Sequence, residues 1–215
     1  SLMIGLMKTL GADFDYYIPH RQSEGYGLNA AAIEQTAASG VSLIVTVDTG
    51  ISAVEEARLA RELGIDLIVT DHHKPPEILP DAYALINPKK PGCPYPFKAL
   101  AGVGVAFKLA HALLGRVPHE WLELAAIGTI ADLMPLIGEN RIIVKLGMER
   151  IRSTENAGIR ALLDVSGVER SAASSGHIAF SIAPRINASG RLERADTAVI
   201  CLTTENEQEA EHLAF

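Results

Sequence analysis

The sequence predicts an α/β fold, a parallel β-sheet flanked by helices, with additional helices toward the C-terminal end. Two apolar, β-branched runs, LIVTV at 43–47 and DLIVT at 66–70, enclose a segment with helical apolar spacing that ends at Gly64. A strand–helix–strand unit of this kind links neighbouring parallel strands. Both strands largely lack polar alternation, which is typical of a sheet covered on its two faces.

Apolar spacing and glycine stops predict the elements before this unit. A helix closed by Gly11 comes first, followed by a short strand, a polar loop and an Ala-rich helix ended by Gly40. These elements cover residues 2–10, 16–18, 20–29 and 30–39. Because no capping residue precedes Ser1, we expect the chain to be cut at the head of its first helix.

The same signals predict the elements after the unit. A short strand, a Pro-rich loop and four helices follow in order. They cover residues 83–86, 87–96, 98–114, 118–130, 140–153 and 157–165. The helix at 118–130 is apolar almost all round, so we expect it to be buried. From Ala195 the pattern is again helical, and it is acidic.

Composition limits the classes of protein that fit. With 215 residues, 48% of them hydrophobic, the chain can form one large domain or two small ones with a sizeable core. No apolar run reaches the length of a membrane span and no charged-then-apolar leader is present, so we expect no membrane association. Cys93 and Cys201 lie far apart without metal-type spacing, which predicts reduced thiols in a cytoplasmic protein.

The net charge of −7 argues mildly against non-specific nucleic-acid binding, but the charge is unevenly distributed. Residues 141–194 hold nine basic and five acidic side chains, whereas the segments on either side are acidic. An acidic metal pocket would also carry negative charge that bound cations cancel. The charge therefore permits a nucleic-acid substrate.

Both strands of the central unit end in acidic residues. Asp48 follows the first strand, and Asp71, His72 and His73 follow the second. Ligands of open parallel sheets bind beyond the carboxyl ends of the strands, so we expect these side chains to converge. Carboxylate and imidazole ligands together suit Mn²⁺, Fe²⁺ or Zn²⁺. The alternative is two acids that cap turns, beside a solvated histidine pair.

Asp132 is a further candidate metal ligand. It ends the apolar helix at 118–130 and is followed by Leu133, Met134 and Pro135. A carboxylate at the end of a buried helix is costly unless it is paired or bound to a metal. The alternative is a helix-end aspartate that bonds to nearby backbone.

Several motifs resemble one family of enzymes. The sequence Asp71-His72-His73 after a β-branched strand resembles the signature of the DHH phosphoesterase superfamily. Further motifs resemble the RecJ group of that superfamily, the bacterial 5′→3′ exonucleases specific for single-stranded DNA, and the likeness covers essentially the whole chain. These motifs are YYIPHR (16–21), GYGLN (25–29), INP (86–88), YPFK (95–98) and PRINA (184–188).

The resemblance implies a site for two Mn²⁺ or Mg²⁺ ions. Asp48 would bridge the two ions, while His72 and Asp132 would bind one of them. His73 would contact the scissile phosphate, and Asp71 would orient the histidine pair without itself binding an ion. Asp71 and His73 are therefore the predicted catalytic residues, and the other three are the predicted metal ligands.

Two segments are predicted to contact the nucleic acid. By resemblance, the loop at 20–29 lies beside the nucleic-acid path, which makes Arg21 a candidate phosphate contact; an exposed surface arginine is the alternative. The segment PRINASGR at 184–191 combines small residues with two guanidinium groups, which predicts an anion-binding turn. A basic surface loop is the alternative there. The predicted contacts of this segment are Arg185, Asn187, Gly190 and Arg191.

The resemblance also implies a domain organisation. Residues 1–195 would form a DHH domain without its first strand, and 196–215 would begin a connecting helix to an absent second lobe. The family's first acidic motif, D-x-D-G, would lie on the absent strand. We therefore expect an incomplete two-metal site and, for this chain on its own, at most a very weak nuclease.

The function that these motifs imply is exonucleolytic hydrolysis of single-stranded DNA in repair and recombination, with other DNA-repair proteins as further candidate partners. One alternative is a DHH-family phosphodiesterase or pyrophosphatase that acts on oligonucleotides or small phosphates; the segments 25–29 and 184–188 argue against it. The other is a non-catalytic nucleic-acid-binding module. The presence of Asp48, the histidine pair and Asp132 argues against that module.

Overall fold

A three-stranded parallel sheet lies at the centre of the computed structural model of this chain, which describes residues 1–19, 27–189 and 196–214. The strands are β1 (Leu43–Val47), β2 (Asp66–Thr70) and β3 (Ala84–Ile86), in the order β1-β2-β3. In register, Val47 lies opposite Thr70, and Thr70 opposite Ile86. All three strands therefore end at one edge of the sheet, as the predicted α/β fold requires.

Helices cover the sheet and extend the molecule beyond it. Those of the first half are α1 (Leu2–Thr9), α2 (Ala30–Ala38), α3 (Val54–Glu62) and α4 (Gly102–Leu114). Those of the second half are α5 (Leu122–Ala131), α6 (Gly138–Ile151), α7 (Ala157–Val165), α8 (Ser175–His177), α9 (Ala183–Ser189), α10 (Thr197–Thr203) and α11 (Glu207–Leu213). Short 3₁₀ turns lie at His119–Trp121 and Arg170–Ala172, and a π-helical turn spans Ile178–Ile182.

Helix α5 joins two hydrophobic clusters of the core. On one side Leu122 and Ala125 pack with residues of α1 and α4, and on the other Ile127 and Ile130 pack with residues of α6 to α11. Gly147 of α6 permits the close approach of α5, because a Cβ atom there would lie 2.4 Å from the Leu122 carbonyl oxygen. The prediction of a buried helix is confirmed, and Asp132 at its end lies 3.4 Å from His72 beyond the sheet edge.

A third cluster fastens α2 and α3 to the sheet through Ile33, Ala57, Ala60, Leu67 and Val69. Strand β1 is less covered than its apolar sequence suggests, because Leu43 and Val47 at the described edge of the sheet remain exposed.

No helix in the part of the chain described is both long and apolar enough to cross a membrane. Cys93 and Cys201 are both free thiols.

The predicted strand at 16–18 is wrong. A strand needs a hydrogen-bonded neighbour, and in the ranges described the sheet consists of β1, β2 and β3. Tyr16 and Tyr17 instead lie in an irregular segment with about half of their surface exposed. Aromatic residues raise strand propensity, but here no partner strand supports it.

The predicted turn at 184–191 is also wrong over its described part, because residues 184–189 belong to helix α9. Pro184 lacks an N–H group, and its ring would clash with a carbonyl of the preceding turn in a regular α-helix. The wider π-helical turn directly before it accommodates this ring. The buried side chains of Ile178, Ile182 and Ala183 hold the helix against the core.

The helical pattern after Ala195 forms two short helices in the described range 196–214 rather than one long connecting helix. Thr204 adopts an extended conformation and ends α10, and the Asn206 side chain accepts a hydrogen bond from the Glu209 N–H to start α11. Both helices pack against α7. The break therefore turns this segment back onto the core.

Glu123 is a buried carboxyl group in α5 that should make the stability of the chain depend on pH. Burial raises the pKa of Glu123, against the opposing effects of a 2.9 Å hydrogen bond from the Thr154 hydroxyl and the charge of Arg150. A raised pKa stabilises the folded state below the ordinary pKa of Glu, and this contribution is lost as the pH rises through the raised value. We expect Glu123→Gln to increase the free energy of unfolding at pH 7 by about 1 kcal/mol.

Urea denaturation of both proteins at pH 4 and pH 8 measures this effect. The gain from Glu123→Gln should be larger at pH 8 than at pH 4. Glu149→Gln, on an exposed residue of α6 that is not among the charges acting on Glu123, is the control and should change the free energy of unfolding little at either pH. An equal effect of Glu123→Gln at the two pH values would contradict the assignment.

Candidate metal centre

Asp48 follows β1 in a conformation that residues other than glycine rarely adopt. Its φ is 63°, while its N–H donates to the Thr70 carbonyl at 2.9 Å and so extends the parallel ladder. Such backbone strain persists only where surrounding contacts enforce it. The side chain lies against the start of α4, where a Cβ atom on Gly102 would come within 2.0 Å of Asp48 Oδ1. The lack of a side chain at Gly102 therefore makes room for the carboxylate.

His72 is the buried imidazole at the centre of the candidate site, with 5% of its surface exposed. Its Nδ1 lies 3.0 Å from the Leu100 carbonyl oxygen, which can only accept, so Nδ1 carries the hydrogen. Nε2 lies 3.2 Å from Asp48 Oδ1 and 3.4 Å from Asp132 Oδ2, and no hydrogen-bond donor among the described residues reaches it. A histidine whose other ring nitrogen is held by a carbonyl is the usual arrangement of a metal ligand.

The hydrogen bond to Leu100 also explains where α4 begins. The sequence predicts a helix from residue 98, whereas α4 starts at Gly102 after an extended Ala101 with ψ of 164°. The Leu100 carbonyl accepts from the His72 ring and lies outside the helix. The segment before α4 is therefore part of the site.

Asp132 lies at the end of α5, where it caps the helix and precedes Leu133, a residue with φ of 53°. Burial raises the pKa of Asp132, and the negative charge of Asp48 acts in the same direction while His72 opposes it. The Asp48 carboxylate raises the pKa of His72 against the effect of burial, with a further contribution from Asp132. The two acids therefore favour positive charge at the point between them, as a divalent cation would supply.

Asp71 is held entirely by nearby donors and has 1% of its surface exposed. Oδ2 accepts from the Ile51 N–H at 3.0 Å, and Oδ1 lies 2.7 Å from His73 Nδ1. Oδ1 also accepts from the N–H groups of His72 and His73. Burial by itself would raise the pKa of Asp71, but these hydrogen bonds outweigh it and lower the pKa.

These contacts divide the roles within the histidine pair. Asp71 orients the ring of His73 and joins the loop after β1 to the loop after β2, whereas the Leu100 carbonyl orients the ring of His72. Asp71 contacts both members of the histidine pair, but it reaches His72 through the backbone N–H and not through the ring. The partner of His72 is a backbone carbonyl, which no side-chain motif could have indicated.

His73 lies at the open side of the site, with half of its side chain exposed. Its ring packs edge-to-face on His72, with the ring centres 4.6 Å apart. Ligand atoms of Asp48, His72 and His73 lie within 4.8 Å of one another, which is close enough for one ion. Asp132 does not belong to this group of three, but its Oδ2 lies 3.4 Å from His72 Nε2, so a second carboxylate borders the cluster. Carboxylates and imidazoles together form a donor set that suits Mn²⁺.

The end of β3 adds two residues that were not predicted as site residues. Asn87 is buried and donates to the His73 carbonyl at 3.0 Å, while it accepts from the Lys89 N–H at 2.8 Å. The charge of Lys89 is close enough to lower the pKa of both His72 and Asp132. Both residues follow a third parallel strand, and this position is the signal in the sequence that could have revealed them.

Two of the predicted nucleic-acid contacts, Arg185 and Asn187, lie on helix α9. Arg185 is exposed on α9 and reaches the Val165 carbonyl at the end of α7, 3.4 Å away, and Asn187 is exposed on the same helix. Arg21, Gly190 and Arg191 lie outside the described residues. Their part in binding stays a prediction.

Comparisons with known proteins give consistent results. Residues 1–129 match the DHH family, N-terminal domain. The chain is 56% identical to the single-stranded-DNA-specific exonuclease RecJ of Bacillus subtilis and 42% identical to the Escherichia coli protein of that name, in both cases over 100% of its own length. It spans only 27% and 40% of those two proteins.

Solved structures show the same fold. A crystal structure of exonuclease RecJ bound to manganese superposes with a TM-score of 0.89 at 38% identity, over 99% of this chain and 55% of that one. RecJ from Thermus thermophilus in complex with Mn²⁺ superposes with a TM-score of 0.83 at 35% identity, over 99% of this chain and 31% of that one.

Proposed function

The chain belongs to the DHH family, and on this premise we propose that it forms the metal-binding part of an exonuclease that hydrolyses single-stranded DNA from the 5′ end. The observation that carries this proposal is the approach of Asp48 and Asp132 to the buried Nε2 of His72, an atom that no hydrogen-bond donor among the described residues reaches. The solved relatives that contain manganese support the choice of Mn²⁺, and one with Mg²⁺ supports Mg²⁺ as the alternative ion.

The geometry supports a part for each of these residues. Asp48, His72 and Asp132 would hold the ion, which when bound activates water and neutralises charge on the phosphate. The Leu100 carbonyl keeps the hydrogen of His72 on Nδ1, so that Nε2 presents its lone pair to the ion. Asp71 holds His73 through Nδ1, so Nε2 of His73 is the atom that would meet the scissile phosphate.

The wider role follows from the same relatives. We infer a cytoplasmic enzyme of DNA repair and recombination, because the curated relatives are named as bacterial exonucleases specific for single-stranded DNA. Other repair proteins are proposed as further partners. The exposed Arg185 and Asn187 on α9, together with Arg21, Gly190 and Arg191, are proposed to contact the phosphates of the strand.

Hydrolysis of matched substrates tests the proposed function. We expect the chain in Mn²⁺ to release nucleotides from 5′-phosphorylated single-stranded DNA faster than from the same sequence in a blunt duplex. Because both substrates are compared in one preparation, the result does not depend on a high absolute rate. Faster hydrolysis of a dinucleotide or of pyrophosphate than of the long single strand would instead support a phosphodiesterase or pyrophosphatase of the same family.

Lys89 is expected to contribute to the binding of the DNA phosphates. With its ammonium near His72 and Asp132, Lys89→Ala should weaken the binding of single-stranded DNA about tenfold and reduce the slope of log affinity against log salt by about one. Fluorescence anisotropy with a hydrolysis-resistant phosphorothioate strand in Mn²⁺ measures both quantities. Lys90→Ala is the neighbouring control, and an equal loss in that variant would show that only general charge matters.

A further inference from the structure

Asn140 is a fully buried amide in the first turn of α6, with 0% of its surface exposed. Its Nδ2 donates to the Ala99 carbonyl at 2.6 Å and to the Pro135 carbonyl at 3.1 Å. Both partners are carbonyl oxygens, which accept only, so the orientation of the amide is determined. A single side chain therefore ties together two stretches of backbone that are far apart in the sequence.

These two stretches both carry parts of the metal centre. Ala99 directly precedes Leu100, whose carbonyl lies 3.0 Å from His72 Nδ1. Pro135 follows Asp132, whose Oδ2 lies 3.4 Å from His72 Nε2. The amide of Asn140 thus links the segment that orients one ligand to the loop that carries another.

The two hydrogen bonds that Asn140 donates are accompanied by a cost at its other amide atom. Asn140 Oδ1 is buried and has no hydrogen-bond partner in the described structure, so the chain bears the cost of desolvating it. An apolar side chain of similar size would avoid this cost, but it could not donate to two carbonyls. Buried polar groups retained at such a cost call for a specific reason.

We propose that Asn140 is a positioning residue of the metal centre, which fixes the Leu100 carbonyl and the Asp132 loop at the separation that a bound ion requires. The proposal rests on the proposed function only in taking the centre to be a site for Mn²⁺. Asn140 touches neither the ligand atoms nor the substrate, and it acts through the backbone. Partners behind metal ligands typically change metal affinity by about 10–100-fold when they are removed.

The test replaces Asn140 with leucine, which preserves the volume and removes both donors. Isothermal titration with Mn²⁺ should show at least about tenfold weaker binding by Asn140→Leu. Ile151→Ala is the matched control, because Ile151 is equally buried in the same helix but faces the core away from the centre. It should lower the thermal midpoint while Mn²⁺ affinity stays within about twofold of the unsubstituted chain.

A second measurement does not need the metal. Nitrogen-15 NMR of the His72 ring should show the hydrogen on Nδ1 in the unsubstituted chain and in Ile151→Ala, but a mixture of tautomers in Asn140→Leu. An unchanged tautomer with unchanged Mn²⁺ affinity in Asn140→Leu would overturn the proposal, as would an equal loss in Ile151→Ala. If Asn140→Leu fails to fold, Asn140→Ser, which keeps one donor, should show the same changes to a smaller degree.

Failure of the proposed function is distinguishable from failure of this inference. If the unsubstituted chain binds no Mn²⁺, the proposed function is wrong, while the tautomer comparison still decides whether Asn140 positions His72. If the unsubstituted chain binds Mn²⁺ and Asn140→Leu binds it equally well, only the role of Asn140 is wrong.

Discussion

Replacement of His72 by alanine is expected to weaken Mn²⁺ binding at the metal centre by more than about a hundredfold. In an exonuclease that contains this centre together with the segments missing from this chain, it should reduce hydrolysis of single-stranded DNA by at least about a thousandfold. Nε2 of His72 is the atom that faces both Asp48 and Asp132, at 3.2 and 3.4 Å. Without the ring, the two carboxylates would hold an ion only loosely. The loss of one metal function removes several kcal/mol of transition-state stabilisation, and about 1.4 kcal/mol corresponds to a tenfold change in rate.

The fold should survive this change. The contact of His72 with Asp71 is made by the backbone N–H, which alanine retains. His111→Ala, on a partly buried histidine of α4, is the control and should leave both Mn²⁺ affinity and hydrolysis nearly unchanged. Titration calorimetry gives the affinity, and circular dichroism verifies the fold. Mn²⁺ binding by His72→Ala within about tenfold of the unsubstituted chain would show that the ion is held elsewhere.

A single methyl group at Gly102 is expected to disrupt the same centre from the opposite side. The Cβ atom of alanine would lie 2.0 Å from Oδ1 and 2.4 Å from Cγ of Asp48, so the carboxylate or the start of α4 must move. The displacement takes Asp48 away from His72. We therefore expect Gly102→Ala to weaken Mn²⁺ binding by about a hundredfold and to lower hydrolysis correspondingly.

Gly104→Ala provides a matched control in the same helix. There the new Cβ atom would meet the Leu100 side chain no closer than 3.2 Å, a contact that a small shift can relieve. Alanine also favours the helix by about 1 kcal/mol relative to glycine, so Gly104→Ala should retain Mn²⁺ affinity. If Gly102→Ala bound Mn²⁺ as tightly as Gly104→Ala, the position of Asp48 in the centre would be wrong.

Local sequence patterns were sufficient to predict much of the fold and of the candidate site. The strand–helix–strand unit was predictable because apolar period and glycine stops act within a few residues. The meeting of Asp48 with the histidine pair follows from the rule that parallel strands end at one edge. Asp132 was predictable because a carboxylate at the end of an apolar helix needs a partner.

Other features depend on partners that are distant in the sequence. The tyrosines at 16 and 17 have strand propensity but form no strand, because pairing is decided by a neighbour. Pro184 signals a turn, yet packing of Ile178 and Ile182 maintains a helix through a π-helical turn. In the first case propensity found no pairing strand among the described residues, and in the second it was overridden by packing outside the segment.

The sequence by itself determined the fold class, the edge of the sheet where ligands gather and the acids and imidazoles that gather there. Only the tertiary structure decided how each is held: His72 by the Leu100 carbonyl, His73 by Asp71, and Asp48 by the space that Gly102 leaves. The physical reason is that side-chain periodicity is encoded locally. Backbone carbonyls and the space beside a glycine, in contrast, occur throughout a chain. They gain a particular partner only when the fold brings distant segments within a few ångströms of each other.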